Sequence, residues 1–191
     1  LKDVSVGICG LGTVGGGTFN VLTRNATLIA GRAGCNILIS RVASRTRRDD
    51  IDLGDTPFST DIFDVVNDPA IDVVVELIGG YETARELVLA AIRNGKHVVT
   101  ANKALIAVHG NEIFDAAEKA GVIVAYEAGV AGGIPVIKAV REGMAANRID
   151  WIAGIINGTG NYILTEMRAG REFAEVLKEA QDLGYAEADP T

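Results

Sequence analysis

Residues 4–15 read Val-Ser-Val-Gly-Ile-Cys-Gly-Leu-Gly-Thr-Val-Gly, an apolar run that passes directly into a glycine-rich turn. Glycines spaced G-x-G-x-x-G after a strand allow a sharp turn, a close approach to a pyrophosphate and tight helix–strand packing. Residues 13–24 continue with a helical pattern, whose first N–H groups would face the phosphates. The alternative is a glycine-rich turn without a ligand, but the context favours dinucleotide binding. The predicted contacts are Gly10, Gly12, Thr13, Val14 and Gly15.

Strand-like and helical patterns alternate along the first 126 residues. Strand-like apolar runs lie at residues 4–9, 37–43, 72–77, 97–100 and 122–126. Helical periodicity at residues 83–94 and 111–120 ends in each case at a glycine, which suits a helix C-terminus. Because strands alternate with helices, we expect a mainly parallel sheet with both faces covered. The predicted fold class is α/β, a Rossmann-type doubly wound parallel sheet that binds ligands at the carboxyl ends of its strands.

The pattern changes after Tyr126. Residues 127–135 are too rich in glycine for a regular element. Further on, residues 136–146 are predicted to be helical, residues 151–156 to form a strand, and residues 162–169 and 172–183 to be helical. We therefore predict a dinucleotide-binding domain over residues 1–130, and the start of an α+β substrate-binding and dimerisation domain over residues 131–191.

Composition narrows the class of partner. The formal net charge of −7 argues against nucleic-acid binding, which depends on neutralising phosphates. The longest apolar runs are far shorter than the roughly 20 residues of a membrane-spanning helix, and no signal-peptide pattern precedes the first strand. Cys9 and Cys35 fit neither a metal site nor a disulfide scaffold, and both are expected in or near the core. These features predict a cytoplasmic globular protein without a nucleic-acid or membrane partner.

The residues after the second predicted strand bear on the choice of cofactor. An acidic side chain at this point binds the ribose 2′-hydroxyl of NAD, whereas arginine accommodates the 2′-phosphate of NADP. Ser44 and Arg45 follow the strand here, and no carboxylate appears before Asp49. We predict that Ser44 and Arg45 hold the 2′-phosphate, so that NADP is favoured while use of NAD stays open. Arg47 and Arg48 either assist or belong to a solvated charged loop.

Five motifs in a fixed order carry a family resemblance. They are Gly-Leu-Gly-Thr-Val-Gly at 10–15, Thr-Ala-Asn-Lys at 100–103, Tyr-Glu-Ala-Gly-Val-Ala-Gly-Gly-Ile-Pro at 126–135, Asn-Gly-Thr-Gly-Asn-Tyr-Ile-Leu at 157–164 and Gly-Tyr-Ala-Glu-Ala-Asp-Pro at 184–190. Together they resemble homoserine dehydrogenase over essentially the whole chain. The resemblance implies NAD(P)-dependent interconversion of L-homoserine and L-aspartate 4-semialdehyde, in the biosynthesis of threonine, methionine and isoleucine.

The resemblance also implies that Lys103 is catalytic. A carbonyl group that accepts a hydride develops negative charge on its oxygen, which a nearby ammonium group stabilises or protonates. Lys103 resembles the family's lysine at the nicotinamide and the substrate. The implied cofactor-binding residues beyond the first turn are Ser44, Arg45, Gly79, Gly80, Thr100, Lys103 and Gly158.

Substrate contacts are assigned by the resemblance. Glu187 lies in the motif where the family binds the amino group of homoserine, and a carboxylate suits an ammonium group. Asn157 and Thr159 would line the substrate and nicotinamide pocket; the alternative is a turn chosen for its backbone geometry.

A sodium ion is likewise implied by the resemblance. Its ligands would be the Glu127 carboxylate and the backbone carbonyls of Val130, Gly132 and Ile134, in a hinge between the domains. Hard oxygen ligands suit such a cation. The alternative is a glycine-rich connector that holds no metal.

The resemblance implies a longer protein as well. Homoserine dehydrogenases continue for more than another hundred residues, which would complete the substrate domain and form the interface of a homodimer. The 191 residues alone could therefore be a non-catalytic dinucleotide-binding fragment or regulator. A related amino-acid or sugar dehydrogenase is a weaker alternative. Turnover of homoserine separates these possibilities.

Overall fold

The computed structural model describes residues 1–154, 157–183 and 185–186. The chain divides into two compact units, Leu1–Gly143 and Met144–Thr191. The first unit contains the two larger apolar clusters, and the second unit contains a small one. The domain boundary predicted after residue 130 stays a prediction.

One parallel sheet organises the first unit. Its strands are β1 Lys2–Cys9, β2 Cys35–Ala43, β3 Phe58–Ser59, β4 Val73–Glu76, β5 His97–Thr100 and β6 Val124–Ala125. They lie in the order β3-β2-β1-β4-β5-β6, and every neighbouring pair is parallel. The strand order therefore reverses between β1 and β4, where open sheets of this type form a ligand crevice beyond the carboxyl ends of the strands. The prediction of a doubly wound parallel sheet is confirmed.

Helices connect these strands. They are α1 Thr13–Arg24, α2 Ala26–Ala33, α3 Phe63–Asn67, α4 Glu82–Arg93, α5 Lys103–Ala120 and α6 Val136–Lys138, with a 3-10 turn at Glu127–Gly129 and a π turn at Ala139–Gly143. The predicted bounds of α1 are confirmed, and those of α4 are displaced by one residue. Helix α5 begins eight residues before the predicted start, because the Asn102 side chain accepts a hydrogen bond from the Leu105 N–H at 3.0 Å and caps it.

The core of the first unit lies on both faces of the sheet. Val74 and Val75 are adjacent in β4 but belong to different apolar clusters, because successive side chains of a strand point to opposite faces. Phe19 of α1 packs in one cluster, and Leu87 of α4 packs in the other. Cys9 is fully buried, as expected, and burial raises the pKa of its thiol to about 12. At neutral pH that thiol stays protonated and unreactive.

The described part of the second unit contains two helices, α7 Gly158–Arg168 and α8 Phe173–Asp182. A small core of Ile163, Val176 and Ala180 joins them. The prediction of a strand at residues 151–156 is wrong for residues 151–154, which have no regular structure. Residues 155–156 lie outside the described residues. A strand needs a hydrogen-bonded neighbour, and none is present in the described part of this unit.

No helix in the described ranges combines the length and the apolar character needed to cross a membrane.

Candidate dinucleotide-binding site

A cavity of about 660 Å³ opens at the carboxyl ends of the strands in the first unit. It lies at the reversal of strand order, where a ligand is expected. Its lining comes from the loops after four different strands. The lining residues are Gly10, Leu11, Gly12, Ser44, Arg45, Thr46, Arg48, Thr60, Asp61, Ile62, Phe63, Leu77, Ile78, Gly79 and Thr83. The glycine turn after β1 thus lines the same cavity as Ser44 and Arg45, which are predicted to bind the 2′-phosphate of the ribose.

The three motif glycines of the first turn have different reasons to be glycine. Gly10 has a φ of +102°, and a Cβ there would lie 2.4 Å from the Leu77 carbonyl oxygen. A Cβ at Gly15 would lie 1.9 Å from the carbonyl oxygen of Gly10. Nothing lies within 4 Å of the Cβ position at Gly12. The close packing of the turn therefore requires Gly10 and Gly15, whereas Gly12 leaves space open toward the cavity.

The start of α1 faces this space with its backbone donors. Gly12 is the N-cap of α1, and no side chain of the described residues caps the helix. Thr13 and Val14 are both exposed in the first helical turn. The first N–H groups of a helix have no partner within it, and they favour an anion. This arrangement can bind the pyrophosphate of a dinucleotide.

Ser44 and Arg45 lie where the sequence predicted them, on the cavity wall directly after β2. The Ser44 N–H donates a hydrogen bond to the Ser59 carbonyl at 3.0 Å, which fixes the start of the loop beside β3. Arg45 is exposed, and within the described ranges its guanidinium has no ion-pair partner. Its charge is therefore available to an anionic ligand.

The neighbouring arginines already contact protein groups. The guanidinium of Arg47 lies 5.8 Å from the centre of the Phe58 ring, a cation–π distance. Arg48 is paired with Asp50, and its Nε donates to Asp50 Oδ1 at 2.9 Å. This pair raises the pKa of Arg48 and lowers that of Asp50 through the same hydrogen bonds. Within the described residues, Arg47 and Arg48 therefore have contacts with other protein side chains that satisfy their charges, unlike Arg45.

Residues 60–63 form a wall of the cavity that the sequence patterns did not predict. Asp61 begins the turn into α3, and its Oδ1 accepts a hydrogen bond from the Phe63 N–H at 2.8 Å. β3, which places this turn beside the cavity, is only two residues long and gave no periodic signal. The Ser-Thr-Asp cluster at 59–61 is the turn signal that could have located it.

The turn after β4 forms the opposite wall. Gly79 and Gly80 have φ values of +73° and +67°, which favour glycine. Gly79 lines the cavity, whereas the Gly80 carbonyl accepts a hydrogen bond from the side-chain amide of Asn102. This turn is therefore attached to the residue that precedes Lys103.

Lys103 and Thr100 differ in their surroundings. Lys103 is exposed as the first residue of α5. Thr100 is 1% exposed, and its hydroxyl donates to Glu76 Oε2 at 2.5 Å. The cavity lining given above includes neither residue. The Thr100 side chain is directed into the protein, so a cofactor contact there would use its backbone, and its assignment stays a prediction.

The Glu127 loop lies beside the start of α5. The Cβ position of Gly129 is 3.7 Å from the backbone nitrogen of Lys103. The two oxygens of Glu127 accept hydrogen bonds from the N–H groups of Ile137 at 3.0 Å and Lys138 at 2.9 Å. These bonds leave one lone pair on each carboxylate oxygen for a cation.

The substrate-binding predictions fall in the second unit. Asn157 is the N-cap of α7, and its Oδ1 accepts a hydrogen bond from the Gly160 N–H at 2.7 Å. The Thr159 hydroxyl donates to the Tyr185 carbonyl. The predicted polar turn is thus the first turn of a helix, which begins at Gly158. Glu187 lies outside the described residues, and the ligand contacts of the whole group stay predictions.

Comparison with known proteins identifies the family. Residues 10–127 match the family model described as the NAD-binding domain of homoserine dehydrogenase, and residues 135–191 match the model described as homoserine dehydrogenase. The first match is to a nicotinamide dinucleotide-binding domain, in agreement with the glycine turn and the cavity.

Individual relatives agree with these models. The homoserine dehydrogenase of Pseudomonas aeruginosa is 71% identical, and the alignment covers 100% of this chain and 44% of that protein. That of Methylobacillus glycogenes is 58% identical, with 100% and 47% covered. A crystal structure of a homoserine dehydrogenase from Thiobacillus denitrificans is 64% identical with a TM-score of 0.90, covering 100% of this chain and 44% of that one. The chain spans less than half the length of these relatives, and it belongs to the homoserine dehydrogenase family.

Proposed function

We propose that this chain supplies the dinucleotide-binding part of an enzyme that interconverts L-homoserine and L-aspartate 4-semialdehyde with NAD(P). One observation carries the proposal. The glycine turn 10–15, the glycine turn 77–80 and Lys103 follow the carboxyl ends of β1, β4 and β5, which are neighbours in the sheet. A phosphate-binding turn and a lysine are thereby brought to one edge of the fold, in a chain of the homoserine dehydrogenase family.

The chemistry divides between the cofactor and these residues. A bound nicotinamide supplies or accepts the hydride. The first N–H groups of α1 hold the pyrophosphate and orient the cofactor across the cavity. In the reducing direction, the Lys103 ammonium group stabilises the negative charge that develops on the substrate oxygen and can donate the proton.

We propose NADP as the favoured cofactor, with the use of NAD left open. Arg45 and Ser44 line the same cavity as the glycine turn, and the first carboxylate after β2 is Asp49. A guanidinium binds a phosphate through charge-assisted hydrogen bonds, and a hydroxyl can add one more.

Arg45→Ala is expected to weaken NADP binding by about 10- to 100-fold and NAD binding by less than about 3-fold. The reason is that only NADP carries the 2′-phosphate that Arg45 would hold. Dissociation constants for both cofactors, measured by titration calorimetry, test this. Arg47→Ala is the matched control, because its guanidinium lies over Phe58, and it should change both constants little. An equal loss of affinity for NADP and NAD in Arg45→Ala would show that Arg45 supports the loop and does not bind the 2′-phosphate.

We also propose that Glu127 and the carbonyls of Val130, Gly132 and Ile134 bind sodium. Ala131 and Gly133 have φ values of +49° and +86°, so the backbone reverses repeatedly along this segment. Such a path can direct several carbonyl groups toward one point. The Ile134 carbonyl already accepts a hydrogen bond from the Val136 N–H at 2.7 Å and would use its second lone pair.

The sodium site predicts a cation-specific stability. At equal ionic strength, the melting temperature of the protein should be higher in sodium chloride than in choline chloride, because choline is too large to be coordinated and binding stabilises the folded state. Glu127→Gln should abolish the difference while keeping an oxygen that can accept one of the two backbone hydrogen bonds. Identical melting temperatures of the unmodified protein in the two salts would contradict the proposal.

The substrate-binding part of the proposal rests on the second unit. We assign Asn157, Thr159 and Glu187 to the small-molecule substrate and Gly158 to the cofactor, because they lie in family motifs. For the full-length protein we propose a homodimer. The family resemblance implies this dimer. Trp151 and Ile152 are 79% and 70% exposed in the described part of the chain, and apolar side chains of this size favour burial against further protein, either the rest of a full-length chain or a partner subunit.

The decisive experiment measures reduction of NADP, by the absorbance of the reduced nicotinamide, with L-homoserine as substrate. It compares the 191-residue chain with a full-length protein that contains it. Turnover by the full-length protein that depends on homoserine is the expected result. Cofactor binding without turnover by the short chain alone would mark it as a binding fragment, and failure of the full-length protein would overturn the proposed function.

A further inference from the structure

Glu76 is a carboxylate buried at the end of β4, directly before the glycine turn. Its relative exposure is 0%. Its Oε1 accepts a hydrogen bond from the Ile78 N–H at 2.9 Å, and its Oε2 accepts one from the Thr100 hydroxyl at 2.5 Å. Within the described ranges it has no ion-pair partner. Burial of a carboxylate costs free energy even when it is hydrogen-bonded, so stability alone does not explain an acid at this position.

The partners of Glu76 continue into a chain of hydrogen bonds. Glu76 and Thr100 lie opposite each other in the register of β4 and β5. The Thr100 oxygen accepts a hydrogen bond from the Asn102 N–H at 3.0 Å. The Asn102 side chain then donates to the Gly80 carbonyl and, through its oxygen, accepts from the Leu105 N–H at 3.0 Å. The chain therefore begins and ends on the turn 77–80, and it includes the cap of α5.

This closed network joins the turn 77–80 to the start of α5, in addition to the pairing of β4 with β5. Gly79 and Gly80 have positive φ values, and a turn of two glycines is conformationally permissive unless other groups hold it. Glu76 holds one end of the turn through Ile78, and Asn102 holds the other end through Gly80. Lys103 directly follows Asn102.

We propose that Glu76, acting through Thr100 and Asn102, is a positioning residue that sets Lys103 against the glycine turn 77–80 at the cofactor cavity. The inference deepens the proposed function and rests on it, because Lys103 has a chemical task only if the site transfers hydride to a substrate carbonyl. A displacement of catalytic groups by about 1 Å costs about 100-fold in rate, so loosening this network should affect turnover more than cofactor binding.

The test is a double-mutant cycle between Glu76 and Lys103 in the full-length protein. Glu76→Gln keeps the shape but has one acceptor oxygen for two donors. When that oxygen accepts from the Ile78 N–H, the NH2 group faces Thr100 and cannot accept the hydrogen bond of the Thr100 hydroxyl. We expect this variant to lower kcat by about 10-fold or more, with the dissociation constant of NADPH changed by less than about 3-fold. In a Lys103→Met background the same substitution should lower the residual kcat by less than about 3-fold, because no ammonium group remains to be positioned.

Additive losses would overturn the inference. If Glu76→Gln lowers kcat by the same factor with and without Lys103, the carboxylate supports the fold generally. An unchanged kcat in Glu76→Gln would overturn it too. If the unmodified full-length protein does not turn over homoserine, the proposed function fails first, and this outcome is distinct from both others.

Two further variants keep the test independent of folding. Thr100→Val keeps the shape of the side chain, removes the hydrogen bonds of its hydroxyl, and should reproduce the coupling to Lys103 if Glu76→Gln does not fold. Val88→Ala, in the buried face of α4, destabilises the same unit without touching the network. It should lower the melting temperature and leave kcat unchanged, whereas a loss of kcat in proportion to stability in all three variants would contradict the inference.

Discussion

Lys103→Ala is expected to lower kcat for the oxidation of homoserine by about 100-fold or more, with cofactor affinity changed by less than about 3-fold. The reason is that, in the proposed mechanism, the ammonium group acts on the charge of the substrate oxygen, which changes most between the ground state and the transition state. Lys103 stands at the first position of α5, where Asn102 caps the helix and the Glu127 loop packs against the backbone. Its Cα is thus held, and the substitution removes only the side-chain atoms beyond Cβ.

The measurement consists of initial rates with saturating homoserine, together with titration of NADPH by its fluorescence. Lys119→Ala is the matched control, because Lys119 lies in the last turn of the same helix and is exposed. It should leave both quantities unchanged. A normal kcat in Lys103→Ala would remove this lysine from the mechanism, and a large loss of NADPH affinity would make it a cofactor ligand instead.

Gly15→Ala is expected to abolish measurable dinucleotide binding and to lower the free energy of unfolding by about 1–3 kcal/mol. A Cβ at this position would lie 1.9 Å from the carbonyl oxygen of Gly10, and backbone atoms cannot turn aside as a side chain can. Either α1 moves away from β1 or the turn at Gly10 opens. Both changes displace the helix N-terminus that would hold the pyrophosphate.

Gly17→Ala provides the matched control on the same helix. Nothing lies within 4 Å of the Cβ position at Gly17, and alanine favours a helix over glycine by about 0.5–1 kcal/mol. This variant should therefore be slightly more stable and bind the cofactor normally. Chemical denaturation and calorimetric titration of both variants check the pair. Normal affinity in Gly15→Ala would show that the turn does not form the phosphate site.

Local signals were sufficient for the elements that depend on local chemistry. The bounds of α1 follow from the glycine turn and an uninterrupted helical pattern, and those of α4 from its amphipathic periodicity. The start of α5 was missed because its first turn lacks a clear apolar period and depends on the Asn102 cap. The strand prediction was wrong at residues 151–154, where an apolar run has no strand partner in the described part of its unit.

In the candidate site, too, some residues could be predicted from local sequence and others depend on the pairing of distant strands. Ser44 and Arg45 were predicted from their place after a strand, and both line the cavity. Residues 60–63 were missed because β3 is two residues long and is recognisable only by its pairing with β2. Thr100 stays a predicted cofactor contact, through its backbone, because its side chain points inward from β5 toward Glu76.

The amino-acid sequence alone determined the fold class, the tight glycine turn and the family, because glycine sterics, strand and helix periodicity and motif order are properties of the chain itself. Only the tertiary structure decided which residues share the cavity and which acid lies beside which hydroxyl. Glu76 and Thr100 are 24 residues apart in the chain, and no local pattern marks them as partners. Their contact depends on the register of β4 against β5, since pairing between strands is set by packing of the whole sheet and not by the residues of one strand.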